Sequence, residues 1–291
     1  QAIFLGLKYT GPKLRQLANT LRSLKSEADK DEGSINQLNL RIYCWRGGMR
    51  SASIAWLADL LDLNPLILEG GYKSYRQWVL KQFDKSWPLR LLGGRTGTGK
   101  TDLLLELSQR GISVIDLEGL ANHRGSSFGG LGLPNQPSSE HYENQLAEAL
   151  ERSQNTSAKE VWLEAESSHL GRCRIPQALF KQMKVAPVLE ITRSKAERIQ
   201  TLIDVYSHQS HERLIEATQR ISRRLGPQRT FQAIEALKNK DWGAACVAML
   251  DYYDRCYEHE LNNSAQRSTV DLTGLNRSQA IETLLKKELV A

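Results

Sequence analysis

Long hydrophobic runs are missing from this sequence: no stretch of about 18 apolar residues occurs, so no membrane-spanning helix is expected. Cysteine is sparse as well. Its four copies, at positions 44, 173, 246 and 256, fall without short paired spacings. That excludes a disulfide framework and a structural zinc site, and with no secretory leader pattern the chain is expected in the reducing cytoplasm. His123 has no cysteine, histidine or carboxylate at metal-ligand spacing around it, so no resident metal site is expected. Internal repeats and low-complexity tracts are absent, and so is an initiator methionine. Gln1 leads directly into an apolar Ile3-Phe4-Leu5, from which an N-terminally incomplete first domain is expected.

What is there reads as an ordinary globular chain: 291 residues, 40% apolar and 25% charged, enough for one or two domains with proper cores. The net charge of +6 is not spread evenly. Between Arg172 and Thr230 stand twelve lysines and arginines against five acidic residues. Such a segment suits the backbone of a nucleic acid. Charge alone does not separate that reading from solvated helix faces.

The most informative early stretch is Arg41-Ile-Tyr-Cys-Trp-Arg-Gly-Gly-Met-Arg-Ser51. A short strand ending at Cys44 and turning into a helix near Ser51 puts the sulfur at a helix N-terminus. Unpaired N–H groups and the helix dipole favour a negative charge there. Arg46 and Arg50 add positive charge, Gly47 and Gly48 permit a crowded backbone, and the thiolate is the reactive form of cysteine. The pattern predicts a thiolate cradle that also draws in an anionic group-transfer substrate. A buried cysteine at a strand end is the alternative, and two arginines sit badly in a core.

Helical spacing of Leu14, Leu17, Leu21 and Leu24 predicts a helix before this stretch, followed by a polar loop over Ser26–Ser34. After it come a helix over Ser51–Leu61, a strand over Pro65–Leu68, a turn at Glu69-Gly-Gly-Tyr72 and a helix through Phe83. This alternation predicts a parallel-sheet α/β domain, with a boundary at Lys85–Pro88. A second α/β unit then begins with a strand at Leu89–Leu92.

Gly94-Arg95-Thr96-Gly97-Thr98-Gly99-Lys100-Thr101 satisfies G-x-x-x-x-G-K-[ST] between a predicted strand and a predicted helix (Thr101–Gln109). Successive N–H groups form an anion nest, Lys100 reaches terminal phosphates, and Thr101 would ligate Mg²⁺ if a nucleotide–metal complex binds. Asp116 and Glu118 follow a strand at Ile112–Ile115; Glu164 and Glu166 follow one at Glu160–Leu163. Either pair could assist the phosphate site. Residues 121–139 form a long turn-rich loop in which His123, Arg124 and Ser126 suit an anion grip or a lid.

From Pro176 onward helices are expected, with one strand at Ala186–Ile191. A single amphipathic helix over His208–Leu225 would carry Arg213, Arg220 and Arg224 opposite Leu214, Ala217, Ile221 and Leu225. Trp242–Tyr257 reads as a core helix. Cys173, Cys246 and Cys256 read as structural.

Four segments together resemble one family. They are Tyr43–Ser51, Leu68-Glu-Gly-Gly-Tyr-Lys73, Gly93–Thr101 and Asp116-Leu-Glu-Gly-Leu-Ala-Asn-His-Arg-Gly-Ser-Ser-Phe-Gly129, and the family is the tRNA 2-selenouridine synthases. The resemblance implies a rhodanese-like domain over residues 1–86, N-terminally incomplete. After it, over residues 87–291, comes a P-loop NTPase-like α/β domain with a basic helical C-terminal part. It implies geranylation of the sulfur of a wobble 5-substituted 2-thiouridine in tRNA by geranyl diphosphate, then replacement by selenium from selenophosphate. Cys44 would be catalytic, attacking selenophosphate or carrying selenium, with Arg46, Gly47, Gly48 and Arg50 on the phosphate. The loop 94–101 would hold the diphosphate, and Arg193, Arg213, Arg220 and Arg224 would meet tRNA. Selenophosphate synthetase is a candidate partner and Mg²⁺ a candidate ion. Two other readings stay open: an ATP-driven sulfurtransferase or small-molecule kinase, and a nucleotide-controlled RNA-binding protein with an inert Cys44.

Overall fold

The structure is a computed structural model that describes residues 2–28, 40–154, 159–261 and 266–289. The expected polar loop over Ser26–Ser34 lies outside the described residues from 29 onward. The chain falls into two compact units, Gln1–Leu80 and Lys81–Ala291.

In the first unit, α1 (Ala2–Ala28) extends well beyond the leucine-spaced stretch and runs through Pro12. Next come β1 (Arg41–Ile42), α2 (Met49–Asp59), β2 (Leu66–Ile67) and α3 (Gly71–Asp84), within which the division of the two units falls. β1 and β2 pair in parallel, Ile42 opposite Ile67, as two strands joined by a helix must. Ala55 and Ala58 of α2 pack with Ile42, Leu63 and Leu21 to form a small core.

The second unit opens with β3 (Leu89–Gly93), α4 (Lys100–Gln109), β4 (Val114–Ile115), α5 (Leu117–Ala121) and α6 (Ser139–Gln154). It continues with β5 (Val161–Glu164), a hairpin of β6 (His169–Leu170) and β7 (Cys173–Arg174), α7 (Gln177–Val185) and β8 (Val188–Thr192). Helices follow: α8 (Lys195–Tyr206), α9 (His211–Arg220), α10 (Ser222–Leu225), α11 (Pro227–Lys238) and α12 (Trp242–Leu261). The last elements are β9 (Arg267–Asp271) and α13 (Arg277–Leu289).

Five strands make one parallel sheet in the order β4-β5-β3-β8-β9. β3, β5 and β8 are almost wholly buried, which fits their mainly apolar sequences, broken by Arg90, Glu164 and Glu190. After β3 the chain builds one side of the sheet and then returns to build the other. The carboxyl end of β3 is therefore the switch point at which open α/β sheets bind ligands. One core packs Leu103, Leu104 and Leu107 of α4 and Ile281 and Leu284 of α13 around Leu92, Leu189 and Ile191. A second core, made by α9 to α12, takes in Phe128 and Leu131 from the loop after α5.

Three expectations need correction. The helix expected over His208–Leu225 is two, α9 and α10, interrupted at Ile221, where φ −97° and ψ 1° leave the helical region. Ser210 caps α9 by accepting from the Arg213 N–H, so residues before it stay outside. The C-terminal part holds a second strand, β9, and the hairpin β6–β7 precedes α7. The long loop starts after α5, whose N-cap is Asp116, accepting from the Gly119 N–H at 2.7 Å.

Candidate functional site

Cys44 sits at the end of β1, where the backbone curls around its sulfur. The Gly48 N–H donates to Sγ at 3.3 Å, and the Ser51 hydroxyl stands within reach of both Sγ, at 3.4 Å, and the Gly48 carbonyl, at 2.9 Å, with one proton to give to either. The Ser51 side chain, and then the N–H groups of Ser51, Arg46 and Gly48, draw the thiol from its ordinary 9.0 down to about 6. The loop's carbonyls are used in the opposite direction: Cys44 and Trp45 accept from the N–H groups of Tyr72 and Lys73 in the first turn of α3. Carbonyls thus face α3 and N–H groups face sulfur. The contact is so close that a Cβ on Gly71, at φ +62°, would lie 2.2 Å from the Cys44 oxygen. Arg46 is exposed on this loop and Arg50 in the first turn of α2.

The glycine-rich loop joins β3 to α4 in the second unit. Gly99 caps α4 without a side chain, leaving the first-turn N–H groups free of a side-chain cap. Lys100 Nζ donates to the Gly94 carbonyl at 2.8 Å, spanning the loop, and the buried Thr98 hydroxyl donates to Arg95 at 2.8 Å. Behind the loop stands Arg198 of α8, almost fully buried. Its Nε donates to the Thr96 carbonyl at 2.8 Å and its guanidinium to Asp254 of α12 at 3.1 Å. Gly97, at φ +86°, would bring a Cβ to 2.6 Å from the Arg198 carbonyl oxygen. Arg95 reaches Asp254 and Glu258 of the same helix. Two helices therefore fix the loop's shape from outside, a role for Arg198 that its own segment of sequence does not announce.

The four carboxylates converge beside this loop. Thr101 Oγ1 donates to Glu118 at 3.1 Å, and Glu118 also shares a hydrogen bond with Glu166. Burial raises the Glu118 pKa against the lowering effect of Lys100. Glu164 is fully buried; one oxygen accepts from the Leu117 N–H at 3.0 Å and the other has no hydrogen-bond partner. Burial first, and then Asp116 and Glu118, push its pKa well up. Among the described residues no group of three or more His, Cys, Asp or Glu is arranged to hold a metal ion.

The loop over 122–138 is anchored rather than free. Phe128 and Leu131 enter the helical core, and Phe128 meets the Tyr206 ring edge-on at 6.0 Å. Arg124 donates to the Leu131 carbonyl at 3.1 Å, and both Arg124 and Ser126 interact with the Tyr206 hydroxyl. Burial lowers the pKa of His123, whose Nδ1 is enclosed without a partner. Gln136, which sequence reasoning passed over, ties this loop down by donating to the Ala121 and Leu170 carbonyls at 2.9 and 2.8 Å.

Arg213, Arg220 and Arg224 are exposed on α9 and α10. Arg193 is engaged inside, with Glu197 at 3.4 Å and the Leu272 and Leu275 carbonyls at 3.1 Å each. Cys173 is buried, Cys246 half-buried and Cys256 exposed.

The family model of the tRNA 2-selenouridine synthase AAA domain matches residues 87–288. A tRNA 2-selenouridine synthase of Shewanella halifaxensis is 34% identical over 261 residues, 78% of this chain and 69% of that protein. One from Shewanella pealeana is 40% identical over 66% of this chain and 50% of its own length. One from Sulfurovum sp. is 34% identical over 84% of this chain and 74% of its own. The chain belongs to the tRNA 2-selenouridine synthase family.

Proposed function

We propose that this chain replaces sulfur by selenium at a wobble 5-substituted 2-thiouridine of tRNA, through a geranylated intermediate. The observation that supports it is that one chain carries two anion-receiving loops of different chemistry. One holds a sulfur drawn down to about 6, and the other an uncapped helix start with Lys100 across it. In the first step the nucleoside sulfur attacks the allylic carbon of geranyl diphosphate. The carbon–oxygen bond breaks and its electron pair leaves on diphosphate, whose growing charge Lys100 and the loop N–H groups stabilise. In the second step selenium from selenophosphate replaces the geranylated sulfur: the phosphorus–selenium bond breaks with water taking the phosphoryl group as phosphate, the carbon–selenium bond forms, and the carbon–sulfur bond breaks with its electron pair leaving on geranylthiolate. Arg46, Arg50 and the backbone at Gly47 and Gly48 hold the phosphate of selenophosphate, and the Cys44 thiolate acts in delivering selenium.

In this reading the loop over 94–101 is a P-loop used without nucleotide hydrolysis, and the first unit is a rhodanese-like domain. A Mg²⁺ would arrive with the diphosphate and meet Thr101 and Glu118. Arg213, Arg220 and Arg224 contact the anticodon arm; Arg193 keeps for it only the donors that Glu197, Leu272 and Leu275 do not use. A selenophosphate synthetase would supply the selenium donor. A nucleotide in the loop is the second reading, favoured by the Thr101–Glu118 contact that a Mg²⁺–nucleotide complex would use. Incubation with 2-thiouridine-containing tRNA and geranyl diphosphate, followed by mass spectrometry of the nucleosides, tests the proposal. A geranyl thioether formed without ATP is the expected product; ATP turnover without tRNA and no thioether would reject it.

A further inference from the structure

One cavity in the second unit adjoins the glycine-rich loop. It is concave and partly open to solvent. Its walls come from α8, α9, α11 and α12, with Leu202, Leu214, Leu237, Trp242 and Met249 among them. Polar groups are few, and two of them mark where it leads: Thr96 belongs to the glycine-rich loop and Ser126 to the anchored loop over 122–138. An anion-binding loop thus adjoins an apolar chamber. The base and ribose of a nucleotide need several hydrogen-bond partners, and beyond Thr96 and Ser126 these mainly apolar walls hold few, among them Ser207 and the hydroxyls of Tyr206 and Tyr253. A hydrocarbon tail needs none.

We infer that this cavity takes the isoprenoid chain of an allylic diphosphate whose head sits on the 94–101 loop. The inference rests on the proposed diphosphate role of that loop and adds the residues that select the tail. Phe128, pinned against Tyr206, closes the chamber beside Ser126, and Cys246 lines its wall, where burial pushes the thiol up to about 11. Length selection then depends on the chamber's depth and not on the phosphate loop.

Calorimetric titration of the full chain with inorganic pyrophosphate and with dimethylallyl, geranyl and farnesyl diphosphates separates the two ideas. Geranyl diphosphate should bind about a hundredfold or more tighter than the dimethylallyl compound, from five further carbons buried. Cys246→Phe, which fills the chamber, should weaken geranyl diphosphate binding at least about tenfold and leave pyrophosphate within about twofold. Retained pyrophosphate binding also shows that the variant folds; if it does not, Met249→Ala decides, since enlarging the chamber should move preference toward farnesyl diphosphate. Equal affinity for pyrophosphate and geranyl diphosphate, or a chain-length order that neither variant changes, would overturn the tail site and leave the head site standing. No binding of pyrophosphate, or binding unaffected by Lys100→Ala, would overturn the head site itself.

Discussion

At the scale of single residues, Cys44 makes the sharpest claim. With its pKa drawn to about 6, roughly ten sulfurs in eleven are thiolate at pH 7. Alkylation by iodoacetamide, read at Cys44 by peptide mass, should therefore rise through a midpoint near pH 6, and a midpoint near 9 would refute the cradle. Ser51→Ala removes the largest cause of the shift and should move that midpoint upward. The sign for stability follows. Because folding favours the thiolate, the contribution is complete above the ordinary value of 9.0 and lost as pH falls through about 6. Lys100→Ala should weaken diphosphate binding by about tenfold or more, the worth of one charge-assisted contact; titration with pyrophosphate would show it. Both residues were legible in the sequence, since each belongs to a short motif whose chemistry is local. Arg198 and Gln136 were not. Their partners, Thr96, Asp254 and Leu170, lie far along the chain, and nothing local marks a helix arginine as buried.

At the scale of elements, the two loops are held by what packs behind them. Arg198→Met leaves Asp254 without its buried partner and the Thr96 carbonyl without a donor. Loss of about 3–5 kcal/mol is expected in urea unfolding; a change under about 1 kcal/mol would mean the helices do not brace the loop. Gly71→Ala forces a Cβ against the Cys44 carbonyl in a left-handed backbone, so Cys44 should lose its low alkylation midpoint. Strands β3, β5 and β8 were readable because burial on both faces leaves short, mainly apolar runs. β9 was not. Of its five residues only Val270 is buried, and Arg267 reaches across to the buried Glu190 at 2.8 Å, so the strand looks like polar surface. The break at Ile221 was hidden for another reason. Leu214, Ala217, Ile221 and Leu225 keep one apolar face through the interruption, so periodicity alone shows a single helix.

At the scale of the whole molecule, the chain joins a small parallel unit bearing Cys44 to a larger one bearing the glycine-rich loop. Family membership supports reading them as parts of one synthesis. The proposed function divides its chemistry between them: geranyl transfer would need the second unit's loop and not the thiolate, and selenium delivery would need both. The direct measurement is nucleoside mass spectrometry on 2-thiouridine-containing tRNA supplied with geranyl diphosphate and then selenophosphate. Wild-type protein should yield 2-selenouridine, Cys44→Ser should stop with the geranyl thioether accumulated, and Lys100→Ala should leave 2-thiouridine largely unchanged. Selenouridine formed by Cys44→Ser, or a loss of geranylation in that variant, would contradict the account.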